Sequence, residues 1–238
     1  MQSSSPRDPT LPAPWGYWTT LGWTVLAITV SMFVAQYVLI SQNMDAAVNF
    51  DGPAIAISVL VSMPVQVVIL VLATQLAYWP SAAYLGIVWP ERREIIVGLA
   101  GVVILAAATD GLFFLFGERG APKIQITMYQ DARAGGWLIW WLIATVVVAP
   151  ICEEIMFRGF LFRGWVQTRA SAPYAITAIA LVWSFTHTQY NLLEMFAVFA
   201  GGILLGWMRW RSGSTLLTMM MHAAINIGAM VETAIQIK

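Results

Sequence analysis

The feature that most constrains this chain is the recurrence of apolar stretches about as long as a lipid bilayer is thick. A hydrocarbon core of ~30 Å requires roughly 20 apolar residues in a helix that rises ~1.5 Å per residue. Stretches that meet or approach this length lie at 20–40, 54–77, 95–116, 137–162, 173–189, 192–208 and 214–234. The predicted fold is therefore all-α: a polytopic transmembrane helical bundle of about seven spans.

Composition agrees with this fold. The 238 residues are 59% hydrophobic and 10% charged, whereas soluble domains carry ~25% charged residues. The segment from Tyr78 to Pro90 is short and flanked by prolines, so we expect it at the membrane interface, with an eighth span as the alternative. The sequence indicates an integral, multi-pass membrane protein.

One domain is expected, because no internal repeat or low-complexity tract appears. Residues 1–14 are polar and Pro-rich and lack the pattern of a cleavable signal peptide, so we predict a disordered leader. Residues 15–238 form the single transmembrane domain. Residues 117–136 carry charges and a proline, which indicates either a lid or a plain connection. An interfacial aromatic belt is predicted at the first span, from Trp15, Tyr17, Trp18 and Trp23.

Charge excludes one class of partner and orients the chain. The formal net charge is zero, and the basic residues are scattered, so nucleic acid is not an expected partner. About twice as many Lys and Arg residues fall on the predicted N-terminal side as on the opposite side, which favours a cytoplasmic N-terminus. The bacterial cytoplasmic membrane is the expected location. The single Cys152 excludes an internal disulfide.

The run from Pro150 to Arg163 holds charges in an apolar setting. Adjacent Glu153 and Glu154 are followed by Arg158, and charge inside a span is expensive unless it is paired or used. In a helix, Glu154 and Arg158 share a face at i,i+4, whereas Glu153 points about a quarter turn away. We expect Glu154 and Arg158 to form a structural ion pair and Glu153 to remain free for chemistry.

Polar residues in the later spans supply partners for that carboxylate. The two histidines are His187 and His222, and Asn226 follows His222 at i,i+4. Position 170, midway between 153 and 187, lies in the turn expected between spans four and five, so Glu153 and His187 are predicted to face each other. Gly202 and Gly206 form a small-xxx-small pair that favours close helix packing.

These side chains are sufficient for peptide hydrolysis. A carboxylate hydrogen-bonded to His187 can take a proton from water and deliver hydroxide to a carbonyl. His222 and Asn226 can donate to the oxyanion that develops. The predicted catalytic residues are therefore Glu153, His187, His222 and Asn226.

Three motifs in this region carry a resemblance to a known family. Glu153-Glu154-Ile-Met-Phe157-Arg158-Gly159 resembles the E-E-x-x-F-R-G signature of the CAAX prenyl protease and bacteriocin-processing (Abi) family of glutamic intramembrane endopeptidases. Trp183 to His187 resembles its aromatic-x-x-x-His element, where the family usually has Phe. His222 to Asn226 resembles its His-x-x-x-Asn element. The resemblance covers 137–230, which we take as the catalytic core.

The resemblance implies the same roles for these residues. Glu153 would be the activating base, His187 its partner, and His222 with Asn226 the oxyanion donors. Family members remove the last three residues of prenylated CAAX proteins, or act in bacterial peptide maturation or self-immunity. The implied partners are a peptide or lipidated protein substrate and the lipid bilayer.

Several alternatives remain open at this stage. Glu153, His187 and His222 are enough for zinc, but no H-E-x-x-H is present and the family is thought to work without metal, so no cofactor is predicted. Ser184 and Ser214 are the available serine nucleophiles, and Asp110 is the only aspartate within a span. A non-catalytic membrane scaffold or immunity protein, or a small proton-coupled transporter, is the alternative function.

Overall fold

The computed structural model describes residues 14–42, 44 and 51–237, and every regular element in those ranges is a helix. The helices are α1 (Tyr17–Ser41), α2 (Gly52–Leu76), α3 (Ser81–Tyr84), α4 (Arg92–Leu115), α5 (Lys123–Ala134), α6 (Leu138–Trp165), α7 (Ala172–Phe185), α8 (Leu192–Ser212) and α9 (Thr215–Gln236). The predicted all-α polytopic bundle is confirmed. Apart from Pro14, the predicted leader lies outside the described residues.

Within the described ranges, six helices are long and apolar enough to cross a membrane: α1, α2, α4, α6, α8 and α9. The chain is an integral multi-pass membrane protein. The fifth predicted span, 173–189, is the exception, because α7 has 14 residues and a length of ~21 Å. It ends early because the next backbone N–H groups, of Thr186 and His187, turn back onto the carbonyls of Trp183 and Ser184.

The helix ends follow from local sequence. Asn191 caps α8 by accepting hydrogen bonds from two backbone N–H groups, and the Glu194 side chain reaches back to the Asn191 N–H at 2.9 Å. Gly213 ends α8 in the left-handed conformation at φ 69°, which glycine adopts without steric cost. Pro173 lies in the first turn of α7, where its missing N–H is not needed.

The segment from Tyr78 to Pro90 contains only the four-residue helix α3, which is too short to form an eighth span. Tyr84 is fully buried, and its hydroxyl accepts a hydrogen bond from Trp15 Nε1 at 3.0 Å. Burial raises the pKa of Tyr84 to about 12. Trp15 therefore anchors α3 to the bundle, whereas Trp18 of the predicted aromatic belt is 84% exposed.

The predicted lid or connection at 117–136 contains α5, which packs on its neighbours. Its buried face carries Gln125, Met128 and Ala132. Gln125 Nε2 donates to the Ala229 carbonyl at 2.9 Å and to the Thr233 hydroxyl, both on α9. Any Cβ at Gly52, where α2 begins, would collide with the Met128 backbone. α5 therefore covers one end of the bundle between α2 and α9.

Helix α6 lies at the centre of the bundle. It packs against α1, α2, α7, α8 and α9, and α7 and α8 form a close antiparallel hairpin beside it. A Cβ at Gly202 would lie 2.8 Å from Ala180 Cβ, and one at Gly206 would lie 2.8 Å from Ile176 Cγ2. The two glycines are therefore the places where α8 approaches α7 most closely.

Candidate active site

Helix α6 is not a uniform α-helix. It is π-helical over Ala144–Val148 and again over Ile155–Leu161, and the α-helical turn Ala149–Glu154 between them carries both glutamates. Short π-helical segments are rare and frequently mark functional sites, because they change which carbonyls find partners inside the helix. In both segments of α6, a side chain from another helix supplies such a partner.

The first π-helical segment determines the position of Asn226. In this segment the Ala149 N–H donates to the Ala144 carbonyl. The next donor in that register would be Pro150, which has no N–H, so the Thr145 carbonyl lacks this partner. Asn226 Nδ2 supplies one at 2.7 Å. The contact holds the carboxamide of α9 against α6 and leaves the second amide hydrogen for another acceptor.

One carboxylate oxygen of Glu154 has two buried partners. Its Oε1 accepts from Arg158 Nη1 at 2.8 Å and contacts His222 Nδ1 at 3.0 Å. Glu154 and Arg158 are fully buried, and His222 is 4% exposed. Because an ionised carboxylate only accepts hydrogen bonds, His222 Nδ1 must carry a proton and Nε2 is the ring nitrogen left available. The predicted ion pair thus also orients a predicted catalytic histidine.

Arg158 contacts two further helices, α7 and α8. Its Nη2 donates to the Gly202 carbonyl of α8 at 3.3 Å, and its guanidinium carbon lies 4.4 Å from the centre of the Trp183 ring. The Arg158 carbonyl, inside the second π-helical segment, accepts from Arg209 Nε at 2.9 Å. α6, α7 and α8 are therefore held together at this level by one guanidinium.

Glu153 has a different environment from its neighbour. It is half-buried, and Trp183 Nε1 donates to its Oε2 at 2.6 Å. The structure places Glu153 level with Trp183, one turn before His187, because α6 ends at Trp165 and α7 begins at Ala172. The centre of that turn falls before position 170, so the predicted register was off by about one helical turn.

Both histidines nevertheless pack against the same indole that donates to Glu153. The Trp183 ring packs edge to face against His187, with ring centres 5.3 Å apart, and against His222 at 5.2 Å. The structure therefore brings together Glu153, His187 and His222, with the indole as the shared neighbour. No hydrogen bond or ion pair joins Glu153 directly to His187, both of which are described residues.

His187 is held by its own backbone and by a tyrosine. Its Nδ1 lies 2.9 Å from the Trp183 carbonyl, which only accepts, so Nδ1 donates and Nε2 is the free ring nitrogen. Tyr190 stacks on the imidazole with ring centres 5.9 Å apart and planes 15° apart. Burial raises the pKa of Tyr190 to about 12, with Glu194 and Glu153 adding to the shift. The phenol keeps its proton at neutral pH.

The sequence did not predict the roles of several residues in this site. Trp183 was recognised as a motif aromatic, but its donor role was not inferred. The signal for Thr145 was Pro150, five residues later, where a π-helical register leaves a carbonyl unsatisfied. Arg209 follows Gly202 by seven residues and therefore lies on the same face of the helix. Because Gly202 belongs to the predicted close-packing pair, this spacing is the signal that Arg209 faces inward. Tyr190 carried no signal beyond its closeness in sequence to His187.

The competing nucleophiles have other hydrogen-bond partners. The Ser184 hydroxyl donates to the Met195 carbonyl at 2.7 Å, and the Ser214 hydroxyl donates to the Val88 carbonyl at 2.6 Å. Asp110 is exposed on α4. Among residues 14–42, 44 and 51–237, no three His, Cys, Asp or Glu side chains are grouped so that they could hold a metal ion.

Comparisons with known proteins match part of the chain. An uncharacterized 24.3 kDa protein of Escherichia coli is 26% identical over 129 residues, an alignment that covers 53% of this chain and 52% of that protein. The chain thus spans about half the length of this relative. No solved structure matches significantly. The family resemblance seen in three short motifs is confirmed: residues 135–228, which include every predicted catalytic residue, match the family model of the Rce1-like type II CAAX prenyl endopeptidases.

Proposed function

We propose that this protein is an intramembrane endopeptidase that hydrolyses a peptide bond with a water molecule activated by Glu153. The observation that carries the proposal is the unequal treatment of two adjacent carboxylates. Glu154 is neutralised by Arg158 at 2.8 Å and fully buried. Glu153 is half-buried, accepts from one neutral donor and has no cation at ion-pair distance among residues 14–42, 44 and 51–237. Because only its Oε2 accepts a hydrogen bond, such a carboxylate has an oxygen left to accept a proton from water.

The first step is addition of water to the scissile carbonyl. Water lies between Glu153 and the free Nε2 of His187, which accepts one of its hydrogen bonds. Glu153 takes a proton, the water oxygen forms a bond to the carbonyl carbon, and the π electrons of the C=O bond move onto its oxygen. No covalent intermediate with the protein forms.

The second requirement is stabilisation of the resulting oxyanion. His222, whose Nδ1 donates to the Glu154 carboxylate, donates to the oxyanion from Nε2 when that nitrogen carries a proton. Asn226 donates the amide hydrogen that the Thr145 carbonyl leaves free. Donors of this kind are worth roughly 2.7–4 kcal/mol each in the transition state.

The third step breaks the C–N bond. The oxyanion collapses to a carboxyl group, the bonding pair leaves on nitrogen, and protonated Glu153 returns its proton to that nitrogen. The products are a new C-terminus and a new amine, and Glu153 is again a carboxylate. The cycle uses no cofactor.

The family match and the position of the site support the proposed substrate class. The catalytic groups lie on spanning helices and next to the short α7, so a scissile bond must reach them within the membrane or at its surface. A prenylated CAAX-type peptide, or another membrane-associated peptide, meets that condition. We also propose the bacterial cytoplasmic membrane as the location, with the N-terminus in the cytoplasm.

The test is a cleavage assay on purified protein in detergent. A farnesylated CAAX peptide, the same peptide without the lipid and an unrelated sequence are incubated separately, and products are identified by mass spectrometry. We expect cleavage of the lipidated peptide with one oxygen of the new carboxyl taken from ¹⁸O-labelled water.

Two controls accompany this assay. The Glu153→Ala variant should give no product, and exhaustive chelation should leave the wild-type rate unchanged. If Glu153→Ala cleaved the peptide at the wild-type rate, Glu153 would not be the base. Loss of activity on chelation, restored by zinc, would replace the metal-free mechanism.

A further inference from the structure

Trp183 lies within the site and contacts four of its charged or titratable groups. Its indole N–H donates to Glu153, the Arg158 guanidinium covers its face, and both histidine rings pack against it. The side chain is 4% exposed. An indole has only two rotatable side-chain bonds, so packing on this many sides leaves it a single position.

The hydrogen bond from Trp183 selects one oxygen of Glu153. The donor–acceptor distance of 2.6 Å to Oε2 is shorter than a typical N–H···O hydrogen bond, and ionised acceptors shorten such bonds. A rigid donor at Oε2 fixes the rotation of the carboxylate about its last bond. Oε1 is then the oxygen that remains for water.

Arg158 strengthens this donor and links the two carboxylates. A cation 4.4 Å from the ring centre draws electron density from the indole and makes its N–H a better donor. The same guanidinium is held by Glu154 at 2.8 Å. The buried ion pair therefore reaches Glu153 through the indole ring, without a direct contact between the glutamates.

Phenylalanine, which the family pattern usually carries at this position, has a similar apolar body but no donor. We propose that Trp183 is a positioning residue for Glu153 in this chain: its indole N–H holds Oε2 and leaves Oε1 as the atom that accepts the proton of water. This inference rests on the proposed function, and it concerns a contact that a phenylalanine cannot make.

The test distinguishes the effect of losing the indole N–H from the effect of changing the shape of the aromatic ring. Trp183→Phe keeps an aromatic side chain, and replacement of Trp183 by 3-benzothienylalanine keeps the bicyclic ring with sulfur in place of the N–H. With the peptide cleaved by the wild type, both proteins should show kcat lowered by about 10- to 100-fold and KM changed by less than about threefold, since substrate contacts are kept.

Trp141 provides a matched control. It is also buried on α6, packs edge to face against Tyr129 and has an indole N–H with no hydrogen-bond partner among the described residues. Trp141→Phe should leave kcat and KM within about twofold of the wild type, since no hydrogen bond is lost. Full activity of the benzothienyl protein, or an equal loss of kcat in Trp141→Phe, would overturn the proposal.

A measurement that needs no turnover distinguishes this proposal from the proposed function. In protein labelled with ¹⁵N-indole tryptophan, the Trp183 signal is assigned by its loss in Trp183→Phe. Glu153→Leu should move that indole proton upfield, as expected when a strong acceptor is removed. An unmoved signal would show that the hydrogen bond is absent. If Glu153→Leu moves the signal but the wild-type protein cleaves no peptide, the hydrogen bond exists and the proposed function is wrong. The contact then has no catalytic role.

Discussion

Adjacent glutamates on α6 face two different regions of the molecule. The closed side consists of Glu154, Arg158, His222 and Gly202, where the glutamate and the arginine are fully buried and paired. The half-open side consists of Glu153, Trp183, His187 and Tyr190, where the carboxylate is half-buried and its donor is a neutral indole. One side uses its negative charge to hold helices together. The other keeps it available for a proton.

The difference shows how a membrane protein can hold a reactive acid. An isolated charge in lipid is too costly, and a fully paired charge has no basicity left. Placing a structural ion pair next to the reactive carboxylate lets the pair organise the surrounding helices. The reactive group is then stabilised by partial exposure and one hydrogen bond. Substitution of Glu154 or Arg158 should therefore change stability first, and substitution of Glu153 should change activity first.

The largest expected effect on stability is at Arg158. Arg158→Ala leaves Glu154 buried without its cation, which costs about 3–5 kcal/mol. It should lower the unfolding temperature in detergent sharply, together with activity. A double variant, Arg158→Ala with Glu154→Gln, should recover part of the lost stability because no charge is left unpaired. Normal unfolding of Arg158→Ala would mean that the closed side is not organised by this pair.

The opposite profile is expected at Glu153. Glu153→Gln keeps the size and a hydrogen-bond acceptor for the Trp183 indole, so its free energy of unfolding should change by no more than about 1 kcal/mol. Its kcat should fall by about 10²- to 10⁴-fold, the usual contribution of a general base. Thermal unfolding and peptide cleavage on the same preparation check both values. A stable Glu153→Gln variant with full activity would show that the half-open side does not supply the base.

A moderate effect on stability is expected where α8 meets α7. A Cβ at Gly202 would lie 2.8 Å from Ala180 Cβ and 3.1 Å from Trp183 Cε3, so Gly202→Ala should cost about 1–3 kcal/mol and shift the Trp183 ring. The control is Gly228→Ala on α9, where a Cβ meets nothing within 4 Å. Helix propensity predicts that this control is neutral or stabilising by up to about 1 kcal/mol. Equal unfolding of the two variants would contradict the close approach.

The smallest effect is expected at the α2–α5 contact, far from either glutamate. Burial and the nearby Asp131 raise the pKa of Asp51, so the folded state binds this proton more tightly than the unfolded state does. The charged form therefore lowers stability above the folded-state pKa, and the penalty vanishes below the unfolded value of about 3.9.

Asp51→Asn removes that penalty. At pH 7 the variant should be more stable than the wild type by about 0.2–1 kcal/mol, the size of an exposed charge interaction. The two proteins should converge in unfolding scans carried out below the unfolded-state pKa. A gain that is independent of pH would show that repulsion from Asp131 is not its cause.

The prediction of the site was accurate where it depended on local spacing. The i,i+4 relation of Glu154 and Arg158 is a property of a single helix, and the structure has the contact at 2.8 Å. The register of Glu153 with His187 depended on the length of the turn between two helices, so it was off by about one turn. The indole of Trp183, not the imidazole, lies level with the carboxylate.

The sequence by itself determined the all-α bundle, because bilayer thickness and backbone hydrogen bonding leave few other solutions for repeated apolar stretches. It also determined which polar residues had to face inward, because each would be costly in lipid. Only the tertiary structure decided that α7 ends at Phe185, that the Thr145 carbonyl receives a hydrogen bond from Asn226, and that one indole contacts Glu153 and both histidines. These contacts connect residues far apart in the chain, and their geometry depends on helix lengths and rotations that no local pattern encodes.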